Sequence, residues 1–471
     1  MSVFTKSDFL EFRACKESFW LSKNKPDLLP KSALSDFDLM LMQDGFDIEK
    51  CVNLWVNSWE DCSNIKAQMN FTSPCGLEVR TDLIRQVDDM TVDIFEIKSS
   101  SSTRGYIEDV AFQTIAIERS GVSVRNAYLI HVDSSYVRAG ELNLDALLVM
   151  ADVTDDMREV IPDLELEIEV ALEWIEKASV NGVGCDCRFQ GNIAKRCAGF
   201  EYLNPDVPAL SIYNLPNIRT GRVREFVEEG RLDLKDIGED EVTKSMIPVL
   251  KAAHTGKPVI NKKGIENFLN ALKYPLFFYD YETFKSAVPI MDGVSPHEQV
   301  PVQVSVHRLD ADGTLSHFEF LADAPGKRRE LALALREAIA DIGSCISWHK
   351  SFEIGCNQRL GAAFPEFETF MTSINERTVD LRDVFKANYV DIGFKGSTSI
   401  KSVLPVLCPN LSYEGMAVGN GGAAMAAWLS MTQETNPDKK LRKRNELLEY
   451  CKLDTLAMVE IYRFLIKTIE S

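Results

Sequence analysis

Apolar positions along this chain follow two periods, and the switches between them mark the elements. Residues 6–22 repeat at helical spacing and predict one amphipathic helix, with Ser7 as N-cap and Asp8 and Glu11 in a first turn where acids suit the helix dipole. Val79–Val87 and Thr91–Lys98 predict two strands joined by a turn at Asp88-Asp89-Met90. A helix over about Tyr106–Arg119, a strand over Val124–Val132 and a helix over Asp163–Ala178 follow. Pro205, Pro208 and Pro216 then break the chain, and Val223–Glu229, Val242–Ala253 and Gly264–Leu272 read as short amphipathic segments. Further on, Phe277–Phe284, Val300–His307, Leu315–Leu321 and Cys345–His349 predict strands, interleaved with a helix over Arg328–Ala340 and closed by a long amphipathic helix over Glu446–Ile469. The expected fold class is α/β in both halves, with an N-terminal domain over 1–205, a helical connector over 206–270 and a C-terminal domain over 271–471.

Composition narrows the class. A chain of 471 residues suffices for two or three domains, and 45% hydrophobic with 26% charged residues is a globular balance. No apolar run approaches the ~20 residues that span a bilayer. Lys6, Asp8, Glu11, Arg13, Lys16 and Glu17 punctuate the first twenty or so positions, unlike a secretory signal, so a cytoplasmic protein with no membrane partner is expected. Its 11 cysteines then point to metal binding or burial rather than disulfides. The net charge of −19 counts against a broad basic surface. Nucleic acid would have to be held by local clusters such as Arg219, Arg222, Arg224, Lys257, Lys262 and Lys263. The chain has no GxxxxGK[ST] loop, hence no built-in motor.

Chemistry enters through carboxylates at strand spacing. Asp280 and Glu282 lie two apart in Phe277–Phe284, so both project to one face. Two unpaired like charges on a buried strand cost on the order of several kcal/mol, which a divalent metal removes. The competing reading is an edge strand with two solvated acids. Glu96 and Lys98 also share a face. A three-residue turn sets Asp82 opposite Glu96 on that face, and a two-residue turn would put it on the wrong side. Two acids can hold a metal that activates water, while a lysine orients that water or stabilises developing charge. Gln113, on the following helix, is a further orienting group. Tyr450 and Asp454 are spaced i, i+4 on the last helix. The stretch Gly396-Ser397-Thr398-Ser399-Ile400-Lys401 has the small residues and lysine suited to gripping a phosphate, or is simply a helix N-cap.

Asp82…Glu96-x-Lys98…Gln113, in the order strand, turn, strand, helix, resembles the PD-(D/E)XK nucleases, in particular the RecB-like branch that includes the CRISPR-adaptation nucleases. The resemblance implies a restriction-endonuclease-like domain with Asp82 and Glu96 as metal ligands beside Lys98 and Gln113. The branch usually has an upstream histidine in a GxxxH setting. The first histidine here is His131, and Glu49 in Gly45-Phe46-Asp47-Ile48-Glu49 is the candidate substitute. The branch often carries an iron–sulfur cluster on one early and three late cysteines. Cys15, Cys185, Cys187 and Cys197 match that arrangement, although C-x-C-x9-C is wider than the branch's late spacing. Four thiolates could hold a [4Fe–4S] cluster or a structural Zn²⁺ that pins the first helix to the end of the domain. Cys51, Cys62 and Cys75 read as packing.

Asp280-x-Glu282, His349-x-x-Phe352-Glu353 and Tyr450-x-x-x-Asp454, in that order, resemble the three motifs of the DEDD, or DnaQ-like, exonucleases in their DEDDy form. The resemblance implies a ribonuclease-H-like domain in which Asp280, Glu282, Glu353 and Asp454 hold two Mg²⁺ or Mn²⁺ ions and Tyr450 positions or deprotonates the attacking water. The third acid of the family is normally Asp, and Glu353 is longer by one methylene. Asp380, between the second and third motifs, reads as a supporting residue. The pairing as a whole resembles an uncharacterised bacterial family that fuses the two domains. The expectation is a two-metal-ion nuclease acting in DNA repair, recombination or defence. Its C-terminal site would be a 3′→5′ exonuclease, with a second nuclease or DNA-binding site in the N-terminal domain. The alternatives are an interaction module whose inactive RecB-like domain recruits a helicase, and an RNA-trimming exonuclease.

Overall fold

Thr5, rather than Ser7, opens the first helix. Its hydroxyl accepts from the Asp8 amide at 3.3 Å, and the Asp8 carboxylate accepts from the Thr5 amide at 3.0 Å. The single helix expected over 6–22 is two, Lys6–Ala14 and Lys16–Asn24. Cys15 between them is extended (φ −168°, ψ 104°), and its sulfur caps the second helix. This computed structural model describes residues 3–30, 34–60, 62–177, 179–180, 184–191 and 195–471. The chain divides into two units, one of residues 1–34, 38–207 and 286–297, the other of 35–37, 208–285 and 298–471. The stretch expected as a connector thus belongs to the second unit from Pro208 onward. Both units are mixed α/β, and among the described residues no helix is long and apolar enough to cross a membrane.

The first unit is built on a five-stranded sheet in the order Ile65–Ala67, Leu83–Asp88, Thr91–Ile97, Ser123–Val132, Leu148–Asp152. Thr91–Ile97 and Ser123–Val132 run parallel, bridged by the helix Ile107–Arg119, and the other pairs are antiparallel. Phe4, Phe9, Phe19, Phe112, Ile115 and Leu129 fill the core beneath. The strand expected over Val79–Val87 breaks at Thr81-Asp82. Leu77–Arg80 joins a small sheet with Phe4–Thr5 and Asn70–Thr72, while Leu83–Asp88 joins the large one. The hairpin turn has two residues, Asp89 and Met90, because Asp88 pairs with Thr91. A bulge at Val87 adds the residue that the shorter turn removes, so Leu83 still faces Phe95. Asp82 therefore lies just past the end of the ladder, where its carboxylate accepts from the Ile97 amide and feels the charge of Glu96, by a route that turn length did not foresee. The helix predicted from Asp163 begins at Thr154 and runs through Pro162 to Lys177. Burial of Met157, Leu164, Ile168 and Ala171 outweighs the hydrogen bond lost at the proline. Ala178, its predicted end, lies outside the described residues.

In the second unit the sheet order is Leu315–Leu321, Val300–Leu309, Leu276–Phe284, Ser344–Ser347, Thr378–Asp380. The first three are antiparallel, and the last two run parallel to the central strand. Alternation along Leu276–Phe284 sorts its two faces. Phe277, Tyr279 and Tyr281 pack with Leu331, Leu335, Cys356 and Met371, from helices on one side. Leu276 and Phe278 pack with Ile346, Ala457, Met458 and Ile461, on the side of the last helix. The even-numbered face, which carries Asp280 and Glu282, therefore looks toward that helix. It spans Pro437–Glu470 and starts before the predicted Glu446, because its first turns, with Lys439, Lys440, Arg442, Lys443 and Arg444, show no apolar stripe.

Candidate active site

Asp280 and Glu282 open onto a cleft of about 400 Å³ whose walls include Trp348, Glu353, Lys401, Tyr450 and Asp454. Glu353 enters from the first turn of the helix Ser351–Ala363, is 2% exposed, and leaves its Oε2 without a hydrogen-bond partner. Asp380 holds the corner before that turn. Its carboxylate accepts from the amides of His349 (3.0 Å), Lys350 (3.2 Å) and Arg382 (3.1 Å). His349 has φ 80°, a region that L side chains avoid, so these bonds oppose a backbone preference to open the corner. Tyr450 and Asp454 project one helical turn apart. Asp454 Oδ1 accepts from the Tyr413 hydroxyl at 2.6 Å. Lys401 Nζ donates to the Tyr450 hydroxyl at 3.0 Å and to the Gly419 carbonyl at 2.7 Å. Cys451 Sγ lies 3.9 Å from Asp280 Oδ2, and Asp280, Glu282 and Cys451 offer ligand atoms within 4.8 Å of one another.

All five residues expected at this site meet in one cleft. Sequence reasoning missed Tyr413, a lone loop aromatic with no signal, and Cys451, which adjoins Tyr450. It singled out Lys401 as a phosphate grip but not as the partner of Tyr450.

The electrostatics follow from crowding. Burial lifts Asp280 well above the carboxylate range, and the charges of Asp454, Glu353 and Glu282 lift it further. Burial and Asp454 raise Glu282, with Lys401 opposing. Burial brings Glu353 to about 8, against a backbone hydrogen bond. Asp454 is raised to about 6 by burial, against the bond from Tyr413, the charge of Lys401 and the bond from Tyr450. Tyr450 is itself raised, by burial and by Asp454. The donor set is four carboxylates, hard oxygen ligands suited to Mg²⁺ or Mn²⁺. The orphaned Glu353 oxygen and the mutual repulsion are what a divalent cation relieves, so these residues fit such ions.

The family described as "Domain of unknown function (DUF2779)" matches residues 277–399. That match begins on the central strand and takes in Asp280, Glu282 and Glu353, but stops before Lys401, Tyr450 and Asp454. The chain is 26% identical over 234 residues to the "Uncharacterized protein MG366 homolog" of Mycoplasma pneumoniae, a match covering 44% of this chain and 35% of that protein. It is 23% identical over 223 residues to the "Uncharacterized protein MG366" of Mycoplasma genitalium, covering 42% and 33%. The chain thus spans about a third of the length of these curated relatives. No solved structure matches.

In the first unit the second expected site also assembles. Glu96, 4% exposed, accepts on Oε1 from Lys6 and Lys98, both at 2.8 Å, and on Oε2 from Gln113. Lys98 also bonds Asp109 at 2.9 Å, and Lys6 lies 3.4 Å from the same carboxylate. Asp82 Oδ2 accepts from the Ile97 amide at 2.7 Å. Burial alone would raise Glu96, but the charges of Lys6 and Lys98 outweigh it and hold the group at about 2. Asp82 moves the other way, to about 7, through burial and the charge of Glu96, with Glu49 adding to the rise. Glu49, the candidate substitute for the histidine, is half-buried and accepts from Gln68 at 3.3 Å. Asp109 stands one turn before Gln113, a spacing that could have revealed it, whereas nothing local marks Lys6. Of the basic residues noted along 219–263, Arg222, Arg224 and Lys263 pair with Glu225 and Glu241, with Glu228, and with Glu266.

Cys15, Cys185, Cys187 and Cys197 gather in the same unit, with all four sulfurs within 4.8 Å of one another. Hydrogen bonds from Cys15 and Cys197 draw Cys185 toward its thiolate, and the same contact pushes Cys15 upward. Four thiols this close could hold a metal ion, and the structure brings together every cysteine expected in the set.

Proposed function

We propose that the second unit is a divalent-metal-dependent 3′→5′ exonuclease acting on DNA in repair, recombination or defence. The observation that carries this reading is the convergence of Asp280, Glu282, Glu353 and Asp454, from three distant stretches, on one cleft with too little positive charge to balance them. The sheet order, three antiparallel strands followed by two parallel ones, agrees with the ribonuclease-H-like fold of DnaQ-like exonucleases. Divalent ions held by these acids would activate a water and neutralise charge developing on the phosphate. Tyr450, one turn from Asp454 and with its hydroxyl bonded by Lys401, would position or deprotonate the attacking water. Lys401 fixes that hydroxyl and brings one ammonium to a cleft that must receive phosphate oxygens.

For the first unit the observation favours a site that does not cleave, and we infer a domain that presents DNA or recruits a helicase. Both oxygens of Glu96 are already engaged by Lys6, Lys98 and Gln113.

The test is the fate of a 5′-labelled single-stranded DNA with Mn²⁺ or Mg²⁺, for the intact protein and Asp280→Ala side by side. A ladder of shortened products that vanishes in the variant is expected. Trimming unchanged in Asp280→Ala would overturn the assignment, and a ladder on RNA alone would move the substrate to RNA. Cleavage that survives Asp280→Ala and disappears with Lys98→Ala would instead make the first unit a second nuclease.

A further inference from the structure

Three stretches of the first unit bring four sulfurs together. Cys15 is the corner between Lys6–Ala14 and Lys16–Asn24. Cys185 and Cys187 start the short turn Asp186–Phe189, and Cys197 precedes the helix Phe200–Leu203. None of the four is in a disulfide. The size of the cage discriminates between occupants. Thiolates about 2.3 Å from a tetrahedral ion lie about 3.8 Å apart. The Cys185 and Cys197 sulfurs are 3.8 Å apart, and no pair in the set exceeds 4.8 Å. A four-iron cube carries its thiolates outside its corners, roughly 6 Å apart or more, which this cage cannot span.

We propose that Cys15, Cys185, Cys187 and Cys197 bind one structural Zn²⁺ as a tetrathiolate, and not an iron–sulfur cluster. The surroundings suit a compact anionic centre. The Ser18 amide donates to Cys15 Sγ at 3.5 Å, and Asn204 Nδ2 donates to Cys185 Sγ at 3.4 Å. Such N–H···S bonds orient the ligands and spread thiolate charge. Arg188 and Arg196 adjoin Cys187 and Cys197 in sequence, and Arg188 is paired with Asp206. Close packing holds the third stretch in place. The Gly199 amide donates to Ser18 Oγ at 3.2 Å, and a Cβ at Gly199 would lie 3.1 to 3.3 Å from Leu21, Leu203 and Ser18. Four protein ligands complete the tetrahedron, so the ion closes the fold rather than serving catalysis. It ties the N-terminal helix pair to a stretch far along the chain, where a cross-link removes most freedom from the unfolded state.

The experiment uses the full chain, produced with both iron and zinc supplied and purified without oxygen. Metal content, acid-labile sulfide and visible absorption are measured together. About one zinc per chain is expected, with no sulfide and no visible charge-transfer absorption. Exchange into Co²⁺ should give the spectrum of a tetrahedral cobalt thiolate, and Cys187→Ser should lose it. Withdrawing zinc with a chelator should lower the melting temperature, and adding zinc back should restore it. Iron with sulfide in stoichiometric amount would overturn the proposal, and so would a folded protein with four free thiols and no metal. If Cys187→Ser does not fold, the metal content and cobalt spectrum of the unaltered chain decide the matter.

Discussion

Asp280, Glu282, Glu353 and Asp454 all sit above the carboxylate range for one reason, burial beside one another. A carboxyl whose folded pKa exceeds its unfolded value, about 4, binds its proton more tightly when folded. The stability it contributes is complete below that unfolded value and is lost as pH rises through the folded one. With Asp454 at about 6 and Glu353 at about 8, the metal-free protein should lose stability between about pH 5 and 8. Added Mn²⁺ should stabilise increasingly over the same range, because the ions replace protons. Melting curves with and without EDTA across that range check this, and a metal-free stability that rises with pH would contradict the crowding. Glu353→Gln should stabilise the metal-free protein at pH 8 by about 1–3 kcal/mol while removing activity. Glu96 shows the opposite arrangement, although Asp82 beside it is raised in the same way as those four. There Lys6 and Lys98 hold one acid ionised, and no cation is needed to relieve it.

At the scale of elements, the corner between the strand Ser344–Ser347 and the helix Ser351–Ala363 decides where Glu353 points. Asp380 → Ala removes acceptors from three amides and should cost about 2–3 kcal/mol. It should weaken Mn²⁺ binding although every ligand remains. Glycine tolerates the φ of 80° at His349, so His349→Gly in the Asp380→Ala background should recover part of the stability. A double-mutant cycle read by melting and Mn²⁺ titration measures this, and strict additivity of the two changes would show that the corner is not strained. The stretch before Lys401 relies on close approach in the same way. A Cβ at Gly396, whose φ is 77°, would fall 1.8 Å from the Asn214 carbonyl oxygen, so only glycine lets this loop carry Ser399 and Lys401 to the cleft.

At the scale of the whole molecule, each unit encloses its own core and its own cluster of residues that could hold an ion. Two melting transitions are expected, one lowered by withdrawing zinc and the other raised by Mn²⁺. A single transition that answers to both ions would show that the cores unfold together. What the sequence by itself determined was whatever a local period can encode. Strand alternation set Asp280 with Glu282 and Glu96 with Lys98, and helical spacing set Tyr450 with Asp454, because backbone geometry over a few residues fixes which side chains share a face. Capping and breakage escaped it where a single residue changed the path, as at Cys15, Thr81-Asp82 and the bulge at Val87. Only the tertiary structure decided that Lys401 meets Tyr450, that Tyr413 meets Asp454, that Lys6 joins Glu96, and that four sulfurs close to within 4.8 Å. Those partners are far apart along the chain, and what brings them together is the packing of one element on another, which no local period records.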